Sequence, residues 1–317
     1  MAKTKLIPFS EATQVTPLGD GFYRVNLSPT FRIGSVPNGG YVAACMVRAA
    51  STHMSPKNQP HAMTAHFAFL ARTEPGPAII AVEIVKPGRT LSTVHVTLYQ
   101  GGGALLDSSP WITGDSRKAI AGYFTMADVT REQGLSISSA HVPIVSPPPP
   151  RPDFAALIRE GGDEHWTAWV PPPRLVRIDV LANTRVFGPR VPTLPPNMAD
   201  VWMCLSSGEK FDTAALAFVV DSMPITIESY RTAPKTEFPP DGVFWYPTVV
   251  MNMDLKKALP AEGEEWLRLR LQTKQIRNGR LDLEVLVYDA QGDLVMLANH
   301  VNLILGFERN TPKKNHL

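Results

Sequence analysis

Apolar and polar positions follow the same succession in two halves of the chain. Each half shows a short strand pattern, then an apolar helical pattern, then four strand patterns rich in β-branched and aromatic residues. In the first half they lie at residues 22–27, from Asn38, and at 63–70, 78–85, 92–99 and 104–113; in the second, at 199–205, from Thr213, and at 244–254, 265–275, 281–288 and 294–305. One helix followed by antiparallel strands occurs once in each half. This order predicts an α+β fold in which each helix packs on a curved sheet.

The repetition extends to single residues. With an offset of 189, Val96, Leu98, Tyr99, Gly103, Leu105 and Leu106 match Val285, Val287, Tyr288, Gly292, Leu294 and Val295. An offset of 173 aligns the two helices and places Arg48 where the second half carries Asp221. The halves are therefore predicted to differ chemically, with an active site in only one of the two equivalent places.

Proline interrupts this pattern in the middle of the chain. The segment PIVSPPPPRP covers residues 143–152, and three more prolines follow at 171–173. Since proline cannot donate to a strand ladder and stiffens the chain, we expect an N-terminal unit at 1–127, an irregular linker at 128–197 and a C-terminal unit at 198–317. A PxxP ligand for an SH3-type domain at 147–152 is the alternative interpretation.

Composition restricts the class of protein. Of the 317 residues, 44% are hydrophobic and 19% are charged, which supports a sizeable core and excludes wholesale disorder. A net charge of +2 argues against a nucleic-acid partner. No apolar run reaches the length of about 18 residues that a membrane span needs, and no secretory signal is recognisable.

Cysteine content and the chain end bear on the compartment. Two cysteines, Cys45 and Cys204, cannot build a disulfide framework and are expected to be buried thiols, which favours a cytoplasmic location. The final Lys-Lys-Asn-His-Leu only loosely resembles a Ser-Lys-Leu-type tail, so the peroxisome is a weaker alternative.

Three segments carry a family resemblance. GSVPNGGYVAACMVRAA and HAMTAHFAFLARTEPGPAIIAVEIVKPGRTLSTVHVTLYQGG resemble the N-terminal half of double-hotdog acyl-CoA thioesterases of the thioesterase II group, and ADVWMCLSSGEKFDTAALAFVVDSMP resembles the region around their second central helix. The similarity covers about residues 15–115 and 199–306. It implies two fused hotdog units joined edge to edge, and hydrolysis of an acyl-CoA or carrier-bound acyl or polyketide thioester by water, without a covalent intermediate, a cofactor or a metal.

The resemblance also implies site residues. The family's water-holding Asp, hydroxyl and Gln fall on Asp221, Thr248 and His300, so that histidine stands where glutamine is usual. The family's helix-opening glycines match Gly39 and Gly40, whose backbone N–H groups could bind a carbonyl oxygen at the positive end of a helix.

The chemistry of these residues leaves alternatives open. Asp221 is the only charged residue between Asp212 and Glu228, so it is either the carboxylate that orients water or the cap of a following helical turn. Thr248 also suits an ordinary strand. The imidazole of His300 can accept a proton near neutral pH. Its presence also fits a lineage that has turned to dehydration, hydration or cyclisation of an acyl substrate, or that binds acyl groups without catalysis.

Further candidates have a weaker basis. His66 alternates with apolar neighbours and is a candidate substrate-binding residue or a histidine of the core or of a strand seam. Five cationic residues between 268 and 280 either meet the phosphates of CoA or of a carrier arm, or protect a sheet edge: Arg268, Arg270, Lys274, Arg277 and Arg280. Two fused hotdogs have the bulk of a hotdog dimer, so a monomer or a homodimer is expected.

Overall fold

The computed structural model of the chain describes residues 6–137, 149–170, 179–222, 225–231, 233, 238–239 and 241–310. Most of the proline segment at 143–152, the prolines at 171–173 and the Lys-Lys-Asn-His-Leu end lie outside these residues. The interpretations attached to them, an SH3 ligand and a peroxisomal tail, therefore stay predictions.

Eighteen strands are present in the described residues. They are β1 (Thr16–Gly19), β2 (Phe22–Leu27), β3 (Arg32–Ile33), β4 (Val36–Pro37), β5 (His61–Phe69), β6 (Gly76–Lys86), β7 (Ser92–Gln100), β8 (Arg117–Ala127), β9 (Trp166–Ala168), β10 (Thr184–Pro189), β11 (Met198–Leu205), β12 (Phe244–Trp245), β13 (Thr248–Leu255), β14 (Leu267–Gln272), β15 (Ile276–Arg277), β16 (Arg280–Tyr288), β17 (Leu294–Leu303) and β18 (Leu305–Gly306). Fourteen of them form one antiparallel sheet, and β3–β4 and β12–β18 form two small ribbons.

The large sheet is symmetric about a central seam. Its order is β1-β2-β6-β7-β8-β5-β13-β17-β16-β14-β11-β10-β9, with β15 paired to β16. At the seam, β5 and β13 run antiparallel, with Ala68 opposite Val250 and Thr64 opposite Asp254. The strands of the first half on one side and of the second half on the other follow equivalent orders. This arrangement confirms the predicted α+β fold with two units joined edge to edge.

Five helices are present in the described residues: α1 (Phe9–Ala12), α2 (Gly39–Met54), α3 (Phe154–Glu160), α4 (Leu216–Val220) and α5 (Ile225–Ser229). A 3₁₀ turn at Thr213–Ala215 leads into α4. The two central helices, α2 and α4, lie inside the curve of the sheet. Asn38 caps α2 as expected, because its Oδ1 accepts from the Tyr41 N–H at 2.8 Å. The residues of α4 are all buried, as are most of α2, and the two helices pack against each other in the main core.

One predicted strand is wrong. Residues 104–113 do not form a strand; a 3₁₀ turn occupies Gly102–Leu105, and the strand is β8, which begins at Arg117. The offset of 189 correctly relates β7 to β16, but the turn at 101–116 is longer than its counterpart at 289–293. Beyond this turn, the offset of 189 no longer aligns equivalent residues of the two halves.

The expected irregular linker at 128–197 is also wrong in part. It contains α3 and two strands, β9 and β10, which extend the large sheet beyond β11. Proline removes a ladder donor only at its own position, and Pro189 closes β10 without preventing it. These strands belong to the sheet of the second half.

Three general expectations can be compared with the structure. Cys45 and Cys204 are buried and unpaired, and burial raises the pKa of each thiol to about 12. Within the described ranges no helix is long and apolar enough to cross a membrane. The same ranges contain no group of three or more His, Cys, Asp or Glu side chains placed to hold a metal ion.

Candidate functional site

A largely apolar cavity of about 340 Å³ lies at one end of the β5–β13 seam. Both halves of the chain contribute to it: the start of α2 and the end of β5 from the first, the end of α4 and the start of β13 from the second. Aromatic side chains supply much of the wall, among them Phe69, Trp169, Phe244 and Trp245. Such a cavity suits an apolar ligand, with specificity left to its few polar groups.

Asp221 is one of those polar groups. It follows the last residue of α4, and its side chain reaches the first turn of α2. The alternative, a cap of a following turn at 221–224, involves residues 223 and 224, which lie outside the described residues. There its Oδ2 accepts from the Gly40 N–H at 2.7 Å, and its backbone oxygen accepts from Asn38 Nδ2 at 3.1 Å. The positive end of α2 favours a negative charge at this place.

Thr248 holds the other carboxylate oxygen. It is the first residue of β13, and its Oγ1 donates to Asp221 Oδ1 at 2.8 Å. The same Oγ1 accepts from Asn302 Nδ2 at 2.8 Å, because Asn302 lies opposite Thr248 in the β13–β17 pairing. The structure thus joins the predicted Asp221 and Thr248 in one hydrogen-bonded chain that ends at Asn302.

His300 lies next to this chain without being part of it. Its Nδ1 is 3.5 Å from Asp221 Oδ1, but neither ring nitrogen has a hydrogen-bond partner in the part of the chain that the structure describes. The side chain is fully buried and is absent from the cavity wall. The structure therefore brings the predicted His300 next to the Asp221 carboxylate, although His300 is not among the residues that line the cavity.

The two helix-opening glycines occupy different positions. Gly39 lines the cavity, whereas the Gly40 N–H is already bonded to Asp221. A Cβ on Gly40 would lie 2.6 Å from the Ala217 backbone oxygen and 2.6 Å from the Asp221 Cβ. The close approach of α2 to α4 therefore requires glycine at position 40, and in this arrangement only Gly39 remains a candidate donor to a substrate carbonyl.

His66 lies outside the site. It is on the exposed face of the seam, where its Nδ1 is 2.8 Å from Asn252 Oδ1 on β13. This confirms the interpretation as a seam histidine and gives no support to its predicted contact with substrate.

The predicted cationic cluster is mostly paired. Arg268 and Arg270 are buried and both bond Asp200, so they are not available to phosphates. Lys274 Nζ lies 2.9 Å from Glu284. Arg277 and Arg280 remain exposed at the β15–β16 turn.

Sequence reasoning missed Asn302 and the cavity wall around α5. Strand alternation could have found Asn302, since it stands two residues after His300 and on the same face of β17. Glu228 of α5 lines the cavity and accepts from the Tyr246 hydroxyl and from Arg231. No short sequence motif indicates these contacts, which join residues separated by a loop.

Comparison with known families assigns both halves of the chain. A family model described as the acyl-CoA thioesterase N-terminal domain matches residues 27–114, and one described as the acyl-CoA thioesterase C-terminal domain matches residues 147–304. The second match includes β9 and β10, in agreement with their place in the sheet of the second half.

Whole-chain comparisons agree. The thioesterase-like protein TwmA of Talaromyces wortmannii is 42% identical over 97% of this chain and 94% of its own length. Among solved structures, a hot dog fold protein of unknown function from Alicyclobacillus acidocaldarius has a TM-score of 0.70 at 18% identity, covering 93% of this chain and 97% of that one. The acyl-CoA thioesterase II TesB2 of Mycobacterium marinum has a TM-score of 0.61 at 18% identity, covering 94% and 98%.

Proposed function

The chain belongs to the acyl-CoA thioesterase family, in its double-hotdog, thioesterase-like form, and on this premise we propose that it hydrolyses an acyl thioester in the cavity beside Asp221. The observation that carries the proposal is the Asp221 carboxylate itself. It stands in the wall of a largely apolar cavity and is fixed by one donor from each half of the chain, the Gly40 N–H and the Thr248 hydroxyl.

The carboxylate acts on water. Each oxygen of Asp221 accepts one hydrogen bond from the protein and keeps a lone pair for a water molecule. Asp221 takes a proton from that water as its oxygen attacks the thioester carbonyl carbon. The resulting tetrahedral intermediate collapses, the carbon–sulfur bond breaks, and Asp221 passes its proton to the leaving thiolate, which gives a carboxylic acid, a free thiol and the ionised carboxylate again.

The cavity walls and the first backbone N–H group of α2 bind the substrate. Phe69, Trp169 and Leu283 offer apolar surface to an acyl chain. The Gly39 N–H, at the positive end of α2, is the donor that we assign to the carbonyl oxygen as it gains charge. His300 Nδ1 lies 3.5 Å from Asp221 Oδ1, and the role of His300 in holding the water stays a prediction.

The test is thiol release from short, medium, long and aromatic acyl-CoAs, with the wild type and Asp221→Asn side by side. We expect turnover in the wild type and a fall of at least about a hundredfold in the variant, because general-base contributions are of that size. Asp212→Asn is the matched control, since Asp212 is a paired carboxylate at the opposite end of the helix pair and an asparagine caps a helix equally well.

The opposite results are also informative. No thiol release from any acyl-CoA, together with a raised melting temperature in the presence of the same compounds, would contradict hydrolysis. Such a result would point to a different reaction on a bound acyl group, or to binding without catalysis. Equal activity in Asp221→Asn and in the wild type would remove Asp221 from the mechanism.

A further inference from the structure

The hydrogen-bonded chain at Asp221 has a fixed direction. An ionised carboxylate only accepts hydrogen bonds, so the Thr248 hydroxyl hydrogen must point at Asp221 Oδ1. The oxygen of Thr248 is then an acceptor for Asn302, which must present its NH₂ group. This reasoning settles the orientation of the Asn302 amide, which heavy-atom positions alone leave ambiguous.

The other end of that amide is unsatisfied. Asn302 Oδ1 is buried and has no hydrogen-bond partner among the residues that the structure describes. Leaving a buried acceptor unpaired costs about 1–3 kcal/mol, so a donor is expected to reach it. Asn302 lines the cavity, where a water molecule or a substrate group can supply that donor.

We propose that Asn302 is a catalytic residue that holds the attacking water together with Asp221. The inference rests on the proposed hydrolysis. One hydroxyl group, that of Thr248, separates the carboxylate from the amide. A water that donates one hydrogen to Asp221 and the other to Asn302 Oδ1 has both hydrogens engaged, and a lone pair of its oxygen is left for the thioester carbonyl. Unlike Asn302, His300 is not among the side chains that line the cavity.

The first test compares Asn302→Ala with Asn299→Ala, the same change on the same strand but on the exposed face. We expect Asn302→Ala to lower kcat by about tenfold or more with little change in KM, since one hydrogen bond to the reacting water is lost. Its melting temperature should fall only slightly, because the change removes one hydrogen bond to Thr248 and one to a water molecule. Asn299→Ala should change none of these quantities.

Asn302→Asp separates a water contact from a structural role. This variant keeps an oxygen that can accept from water but has no N–H group to donate to Thr248 Oγ1. If Asn302 Oδ1 holds the water, Asn302→Asp should retain more of the wild-type kcat than Asn302→Ala. If Asn302 acts only by donating to Thr248, the two variants should lose the same share of kcat.

A crystal structure provides a readout that does not depend on turnover. We expect a water within hydrogen-bond distance of both Asn302 Oδ1 and the Asp221 carboxylate. Wild-type kcat in Asn302→Ala, while Asp221→Asn is inactive, would overturn the role of Asn302 and leave the proposed hydrolysis intact. Absence of thiol release from the wild type would overturn both.

Discussion

The two ends of the α2–α4 helix pair share an architecture and differ in charge. The helices run antiparallel, because the first turn of α2 meets the end of α4 and Arg48 of α2 reaches Asp212, just before Thr213. At the cavity end the cap of α2 is the neutral Asn38, and a separate carboxylate, Asp221, bonds the helix N–H. At the opposite end the cap is itself a carboxylate.

That second carboxylate is fully engaged. Asp212 Oδ1 accepts from the Ala215 N–H at 2.8 Å, and its Oδ2 lies 2.7 Å from the Arg48 guanidinium. The Asp212 side chain is 46% exposed, against 9% for Asp221. In this chain the carboxylate at the cavity end is not the cap of the helix and has no Lys or Arg partner among the described residues, whereas Asp212 both caps its helix and pairs with Arg48.

The ends of the seam strands differ in the same way. Thr248 begins β13 and its hydroxyl serves Asp221, whereas His61 begins β5 and its Nδ1 lies 3.6 Å from Asp128 Oδ1. His61 Nδ1 also accepts from the Val129 N–H at 3.3 Å. The polar groups at the β5 end of the seam therefore bond to other groups of the protein. This agrees with the prediction that the two halves differ chemically.

Gly40→Ala should disturb the cavity end most. The new Cβ would lie 2.6 Å from the Ala217 oxygen, so α2 and α4 must move apart. We expect the free energy of unfolding in urea to fall by about 1–3 kcal/mol. Thiol release should fall by about a hundredfold, since a displacement of about 1 Å at a reacting group has an effect of that size.

Gly188→Ala is the control for this substitution. A Cβ at Gly188 of β10 meets no atom within 4 Å, so stability and activity should both stay close to wild type. If Gly40→Ala behaved like Gly188→Ala, the close contact of the helices would not be what places Asp221.

The fold could be predicted from the sequence wherever local pattern decides it. The residues of β2 were identified correctly from alternation, and α2 from its asparagine cap and apolar faces. The start of β8 was missed because it depends on the length of the turn at 101–116, which the repeat in the second half does not share. Loop length is set by contacts that a strand pattern does not contain.

The site was predictable in its carboxylate and not in its geometry. Family resemblance and an apolar context both singled out Asp221. The pairing of Thr248 with Asn302 follows from an irregularity between Thr248 and Val250, which shifts the register of β13 against β17. A sequence does not indicate such a bulge, so the contact between Thr248 and Asn302 was not predicted. His300 was assigned from the family resemblance, and its catalytic role stays a prediction.

Arg48→Met tests the end of the helix pair that lies opposite the cavity, where we expect a smaller effect. It removes the ion pair with Asp212 but leaves the cavity untouched, so we expect thiol release to stay at the wild-type level. The pair is partly exposed, and the free energy of unfolding should fall by about 1 kcal/mol or less. A double-mutant cycle with Asp212→Asn measures the coupling, and a large loss of activity in Arg48→Met would show that the two ends communicate.

The smallest expected effect concerns His61 and the dependence of stability on pH. Burial lowers the pKa of His61, and the nearby Asp128 offsets this only in part. The unfolded chain then binds a proton at His61 more readily than the folded chain does, so stability is lost as the pH falls through the ordinary histidine range, from about 7 to about 5. In urea unfolding, His61→Gln should lose less stability than the wild type over this interval. Asp128→Asn should lose more, because it removes the charge that favours protonated His61. Parallel curves for the three proteins would show that the folded and unfolded chains bind this proton equally, which would contradict the lowered pKa of His61.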